Sequence, residues 1–183
     1  MPIDPAHRLP DDLEVMLSQR ALASRVRRLA GEITHDVAAL DPILIGVLKG
    51  SLIFMADLIR QLDFPLSIDF LAVSSYRGTT STGVVRILKD LDQPIGGRHV
   101  VLIEDIVDSG QTLRYLAEYL WSQDPASLRI CTLLDKISAR TVAVDIDYVG
   151  HQFTRGYVVG YGMDYHQRYR NLSHLAILDE PDP

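Results

Sequence analysis

An α/β fold, with a mainly parallel central sheet flanked by helices, follows from three features of the sequence. The apolar runs Ile43 to Leu48 and Val100 to Ile103, and the largely apolar stretch Leu128 to Leu134, read as strands buried on both faces. Helical patterns, with apolar residues at steps of three and four, alternate with them. Two of the runs lead straight into small polar loops that open helices, which is how parallel sheets present ligand loops at the carboxyl ends of their strands. The chain has 183 residues, 47% of them hydrophobic, enough for one domain with a sizeable core.

Residues 1 to 10 read as an irregular arm. From Ser18 the positions Leu22, Val26, Leu29, Ile33, Val37 and Leu40 predict an amphipathic helix that ends near Asp41-Pro42. The strand Ile43 to Leu48 then runs into Lys49-Gly50-Ser51 and an apolar helix, Leu52 to Leu62. Gly50 would let the backbone approach a ligand closely, with Lys49 and Ser51 as added donors. Alone, Lys-Gly-Ser is a weak signal. Leu66 to Val73 reads as a strand. The following Ser74 to Gly83 has almost no apolar anchor and is expected to be a flexible lid loop, an ordinary surface hairpin being the plainer alternative. Val84 to Leu88 returns as a strand, and Gly96-Gly97 is a turn.

The chain is organised around residues 99 to 113. Here the apolar run Val100 to Ile103 ends in two carboxylates, Glu104 and Asp105. Asp108, Ser109, Gly110, Gln111 and Thr112 follow, then a helix marked by Leu113, Leu116 and Leu120 and running to about Ser122. Strand, polar loop and helix start make a phosphate site, because loop amides and the helix N-terminus favour an anion. Carboxylates repel phosphate, so Glu104 and Asp105 need another partner. The vicinal hydroxyls of a sugar, bound directly or through a divalent metal, supply one.

Leu128 to Leu134 is the next strand, ending in Asp135-Lys136. Lys136 alone is most often a solvated lysine; at the end of a parallel strand it would face the ligand crevice. Ile146 to Val149, Tyr157 to Val159 and Leu175 to Leu178 read as short strands. Tyr157 fits either a core position or a stacking platform for a base. One domain over residues 1 to 183 is expected, with a core of about 36 to 140. A small hood subdomain would be made by the N-terminal segment with its first helix and by about 140 to 178.

Composition excludes several classes. A formal net charge of −6 argues against general nucleic-acid binding, and Arg20, Arg25, Arg27 and Arg28 read as a solvated helix face. Six histidines show no zinc-type spacing. The single Cys131 excludes an internal disulfide and reads as a buried free thiol. No apolar run approaches the roughly 20 residues of a membrane span. The first residues lack an apolar signal core, so a cytoplasmic location with no membrane partner is expected.

The stretch Ile103-Glu-Asp-Ile-Val-Asp-Ser-Gly-Gln-Thr112 closely resembles the phosphoribosyl-pyrophosphate signature of the type I phosphoribosyltransferases, most of all their hypoxanthine-guanine branch. Leu48-Lys-Gly-Ser51 is similar to the family's pyrophosphate loop, and the resemblance runs from roughly residue 18 to 178. It implies the family fold and purine salvage: transfer of the phosphoribosyl group to hypoxanthine or guanine, with Mg2+ as cofactor. It places Glu104 and Asp105 on the ribose hydroxyls and the metal, and Asp108, Ser109, Gly110, Gln111 and Thr112 on the 5′-phosphate. Asp108 is then the general base or acid beside N7 of the purine. Lys49, Gly50 and Arg170 hold pyrophosphate. Lys136 meets the exocyclic oxygen of a 6-oxopurine, Tyr157 stacks on the ring and the Val158 backbone reads its edge. Asp164, near the purine, helps to hold magnesium. Ser75 and Tyr76 belong to the lid, and Arg140 matches an arginine of unassigned role. The family forms homodimers or homotetramers. Gln111 departs from the pattern, standing where many relatives carry a basic residue. Three alternatives stand beside this reading. One is a transferase specific for xanthine, adenine or orotate. Another is a non-catalytic regulator that binds RNA, and the third a nucleotide-binding module without chemistry.

Overall fold

The computed structural model describes residues 13–75 and 85–178. Tyr76 and most of the stretch expected as the lid lie outside the described residues. Along the chain come β1 (Glu14–Leu17), α1 (Gln19–Val37), a short 3-10 turn (Ala38–Leu40), β2 (Ile43–Leu48), α2 (Leu52–Ile59), β3 (Ser67–Ser75) and β4 (Val85–Lys89). Then follow β5 (His99–Val107), α3 (Gln111–Trp121), β6 (Ser127–Lys136), β7 (Tyr148–Phe153), β8 (Tyr157–Val159) and β9 (Leu175–Leu178).

Six strands form one sheet in the order β4-β3-β2-β5-β6-β7. All neighbours are parallel except the edge pair β3–β4. The sheet is buried on both faces, and the strands divide their side chains between the faces by the two-residue period of a strand. Leu44, Val101, Ile103, Cys131 and Leu133 face α1 and α2. Ile43, Ile45, Val100, Leu102 and Ile130 face α3. Burial of one such Leu or Ile is worth about 1.5–3 kcal/mol, so both faces need their helices. Cys131 is fully buried, and burial pushes its thiol up.

Ser18 caps α1 by accepting the Ala21 N–H at 3.3 Å. The stripe Leu22, Val26, Leu29, Ile33 and Val37 enters the core. Asp41, at φ 47°, turns the chain out just before Pro42. Helix α2 is shorter than the apolar run predicts. Past Ile59 the bonds tighten to three-residue turns (Gln61 N to Leu58 O, Leu62 N to Ile59 O), and Leu62 is buried from a turn.

Strand β5 runs past the acids. The ladder to β6 continues through Glu104–Thr132 to Val107–Asp135, so the partner strand keeps the chain extended after the apolar run ends. β7 begins two residues later than its apolar run and takes in His151 and Gln152, as an edge strand can.

The hood is a three-stranded antiparallel sheet, β1-β9-β8. The strand before α1 joins it, and α1 itself packs on α2 and β7 of the large sheet. β7, in the stretch expected for the hood, belongs to the large sheet. The hood's Val158, Tyr161, Met163 and Leu175 share one core with Leu22 and Phe54.

Candidate active site

The carboxyl ends of β2, β3 and β5 open into a cavity of about 510 Å³, closed on the hood side by Asp164, Gln167 and Arg170. Lys49, Gly50, Glu104, Asp105 and Thr112 also line it. A second cavity of about 120 Å³ shares Glu104 and Thr112 with it and is lined by Asp108, Ser109 and Gly110. A wide chamber with a small annex on a helix N-terminus suits a large ligand carrying one terminal phosphate.

Two half-buried acids follow each other toward the end of β5: Glu104 lines both cavities and Asp105 the large one. Burial pushes the Glu104 carboxyl well above the usual carboxylate range, and the charge and hydrogen bond of Asp105 push it the same way. Its Oε2 is buried without a hydrogen-bond partner among the described residues. Burial also raises the Asp105 carboxyl; the Ile106 N–H, donating to Oδ1 at 2.8 Å, and the Arg170 charge oppose it. An orphaned buried acceptor calls for a donor or a cation from a ligand. The pair therefore fits sugar hydroxyls or magnesium. Glu104, Asp105 and Asp164 line one cavity, yet no group of three acids among the described residues makes a metal site by itself. Magnesium commonly takes one or two carboxylates and completes its shell with substrate phosphates and water.

The loop from Asp108 to Gly110 is set by its backbone. Gly110, at φ +87°, ends the loop in the left-handed region, and α3 starts at Gln111. Gln111 is exposed, Ser109 half-buried, and Asp108 exposed at the mouth. The Ser109 Oγ accepts the Gln111 N–H at 3.4 Å.

The Lys49–Gly50 turn is tighter. A Cβ on Gly50 would stand 1.6 Å from Asp105 Oδ2, and one on Gly162 would stand 2.1 Å from Gly50 O. The Leu48–Lys49 peptide is cis, and Lys49 is exposed. Ser51, expected as a ligand donor, turns inward: it is fully buried, and its hydroxyl donates to Val47 O at 2.6 Å.

On the hood side Arg170 pairs with Asp164 Oδ1 at 2.6 Å and donates to Gly162 O at 2.7 Å. Asp164 Oδ2 accepts the Gln167 N–H at 2.8 Å. Tyr157 is 42% exposed, and its hydroxyl donates to Asp164 O at 3.0 Å. Its ring meets Tyr165 edge-on at 5.6 Å. Val158 is buried, opposite Ile177 in the hood sheet. Lys136, half-buried, ends β6 opposite Phe153. Neither cavity is walled by Lys136, Tyr157 or Val158. Sequence reasoning assigned no role to Asp57, whose Oδ2 accepts the Tyr161 hydroxyl at 2.6 Å and ties the hood to α2. It also assigned none to Asp135, buried beside Lys136. The signal for the hood turn was the Gly160-Tyr-Gly162 spacing, whose three residues all take positive φ.

A small annex on a helix N-terminus, two acids and a cationic wall at the carboxyl edge of a parallel sheet fit an enzyme that handles a phosphorylated sugar. A model of the phosphoribosyl transferase domain matches residues 13–166. The hypoxanthine-guanine phosphoribosyltransferase of Mycobacterium avium is 48% identical over 97% of this chain and 92% of its own length. That of Streptococcus pneumoniae is 43% identical, covering 93% of this chain and 95% of the relative. The crystal structure of a hypoxanthine phosphoribosyltransferase from Staphylococcus aureus superposes with a TM-score of 0.88 at 43% identity, over 92% of this chain and 93% of that one. The chain belongs to the phosphoribosyl transferase family and is similar to its hypoxanthine-guanine members. Among the described residues, no helix is long and apolar enough to cross a membrane.

Proposed function

We propose that the protein transfers the 5-phosphoribosyl group of phosphoribosyl pyrophosphate to hypoxanthine or guanine, giving IMP or GMP and pyrophosphate, as a cytoplasmic homodimer or homotetramer. The observation that carries this reading is the Glu104–Asp105 pair, in which Glu104 lines both the wide chamber and the small annex and keeps Oε2 buried without a partner among the described residues. A purine nitrogen bonds to C1 of the ribose as the C1–oxygen bond to pyrophosphate breaks, with inversion, through an oxocarbenium-like transition state. Magnesium, when bound, neutralises charge on the departing pyrophosphate. Lys49, the Gly50 amide and Arg170 bind that group from the protein side. Glu104 and Asp105 orient the ribose hydroxyls. Residues 108 to 112 hold the 5′-phosphate, with Gln111 contributing its amide rather than a charge. Tyr157 and the Val158 backbone seat the purine, Asp164 lies near it on the magnesium side, and Ser75, the last residue of β3, leads with Tyr76 into the covering loop that excludes water.

Lys136 sets the base preference. An ammonium only donates, so it matches a 6-oxo group and leaves adenine's 6-amino group unpaired, which is a strong basis for rejection. The exposed Asp108 carries the proton that the purine gives up. Asp108→Asn should lower kcat by about 10²–10⁴-fold with little change in phosphate binding. Turnover within about twofold of wild type would remove Asp108 from this role.

The test is a nucleotide-formation assay with phosphoribosyl pyrophosphate and magnesium, offering hypoxanthine, guanine, xanthine and adenine singly. Product from hypoxanthine and guanine, little from xanthine and none from adenine supports the proposal. A xanthine preference would overturn the assigned substrate and leave the transfer chemistry. No product from any base, with the sugar donor still bound, would overturn the enzyme reading.

A further inference from the structure

Arg140 lies beneath the phosphate loop. Its guanidinium pairs with Oδ1 of Asp135, and Gln152 Nε2 donates to Oδ2 at 3.1 Å. Asp135 is 6% exposed, faces Val107 in the β5–β6 register and immediately precedes Lys136. The other guanidinium nitrogen, Nη1, is buried without a hydrogen-bond partner among the described residues. A Cβ on Gly110 would stand 3.1 Å from that nitrogen and 2.8 Å from Val142 O, so the loop rests directly on this segment.

The next two residues grip the loop. The N–H groups of Thr141 and Val142 donate to Ser109 O at 3.0 and 3.1 Å, and the Thr141 hydroxyl donates to it at 3.3 Å. Three donors on one carbonyl fix the plane of the Ser109–Gly110 peptide. In a trans peptide the C=O and the following N–H point opposite ways, so the Gly110 N–H is held away from residues 141 and 142. Neither Arg140 nor these two residues line the small cavity.

We propose that Arg140, locked by Asp135, is a positioning residue for the 5′-phosphate: it holds residues 140 to 142 behind Ser109 and Gly110 so that the loop amides stay aimed at the ligand. The inference rests on the reading of residues 108 to 112 as the phosphate loop. Arginine suits the task because its planar fork binds Asp135 while presenting a second edge to the loop. The same ion pair braces the end of β6, so the phosphate loop and Lys136 share one support.

The test compares Arg140→Met, Arg140→Lys, Asp135→Asn and the double variant Asp135→Asn/Arg140→Met by calorimetric titration with IMP, which carries the 5′-phosphate, and with magnesium pyrophosphate, which lacks it. Mis-aiming a loop donor should weaken IMP binding about tenfold in Arg140→Met. Pyrophosphate binding should stay within about twofold, because that ligand does not use the loop. Arg140→Lys should restore part of the loss. The double variant, which leaves no buried charge unpaired, should bind IMP no more weakly than Arg140→Met, and it carries the test if the single variants fail to fold. Unchanged IMP binding, or an equal loss for both ligands, would overturn the inference. Thr112→Val is the control on the underlying reading. If it leaves IMP binding untouched, the phosphate-loop assignment falls; if it weakens IMP while Arg140→Met does not, only the role of Arg140 falls.

Discussion

Lys49–Gly50 after β2 and Asp108–Gly110 after β5 both carry the chain from a buried parallel strand into a helix, yet they are held by different means. Gly50 is wedged between Asp105 of β5 and Gly162 of the hood, with no room for a side chain toward the acid. Gly110 is required by its own backbone, with φ at +87° as the N-cap of α3, and it rests on Arg140 and Val142. The hydroxyl residues that follow differ too. Ser51 is spent inward on Val47 O, whereas Thr112 lines both cavities. Likeness of layout thus does not make likeness of role. Both turns rest on remote neighbours, but the first offers little beyond backbone and Lys49, whereas the second joins a left-handed glycine to a rim that lines the small cavity.

The sharpest way to break this contrast is Gly50→Ala. The new Cβ meets a carboxylate and cannot be accommodated without moving Asp105. A shift of about 1 Å in a positioned group costs roughly 10²-fold, so kcat/KM should fall at least that far, with a lower Tm. A loss under about tenfold would show that the wedge relaxes freely. Gly110→Ala comes next. Holding alanine in the left-handed region costs about 1–2 kcal/mol, and the Val142 carbonyl adds a contact at 2.8 Å. IMP affinity should fall about tenfold with pyrophosphate affinity unchanged, which calorimetry reads directly. The smallest effect belongs to Ser51→Ala. Loss of one buried hydrogen bond should lower stability by about 1 kcal/mol in denaturant melts, with kinetic constants unmoved. A change in KM for phosphoribosyl pyrophosphate from this variant would erase the distinction between the two turns.

How much of this was legible in the sequence follows the same division. The parallel strands, the three helices and the stretch from Glu104 to Thr112 could be read because each signal is local: an apolar run, a three-and-four spacing, a glycine before a helix. The length of β5 could not, since its last residues are held extended by β6 rather than by their own composition. β1 was invisible for a related reason. It has four residues, only Leu17 is buried, and its partner is β9 at the far end of the chain. The wedge at Gly50 depends on Asp105 and Gly162, far along the chain, while Ser51 with Val47 and Arg170 with Asp164 are near in sequence but take partners that only the packed fold selects.

The hood has no core of its own. Val158, Tyr161 and Met163 pack into the cluster that holds Leu22 and Phe54, the Tyr161 hydroxyl is bound to Asp57, and Gly162 presses on Gly50. Such a cap does not swing. Amide hydrogens in β8 and β9 should exchange with solvent only when α2 opens as well, the hood and the Lys49–Gly50 turn melting as one cooperative unit. The wall that receives the ligand is therefore standing before the ligand arrives, and little ordering entropy remains for binding to overcome on that side of the chamber.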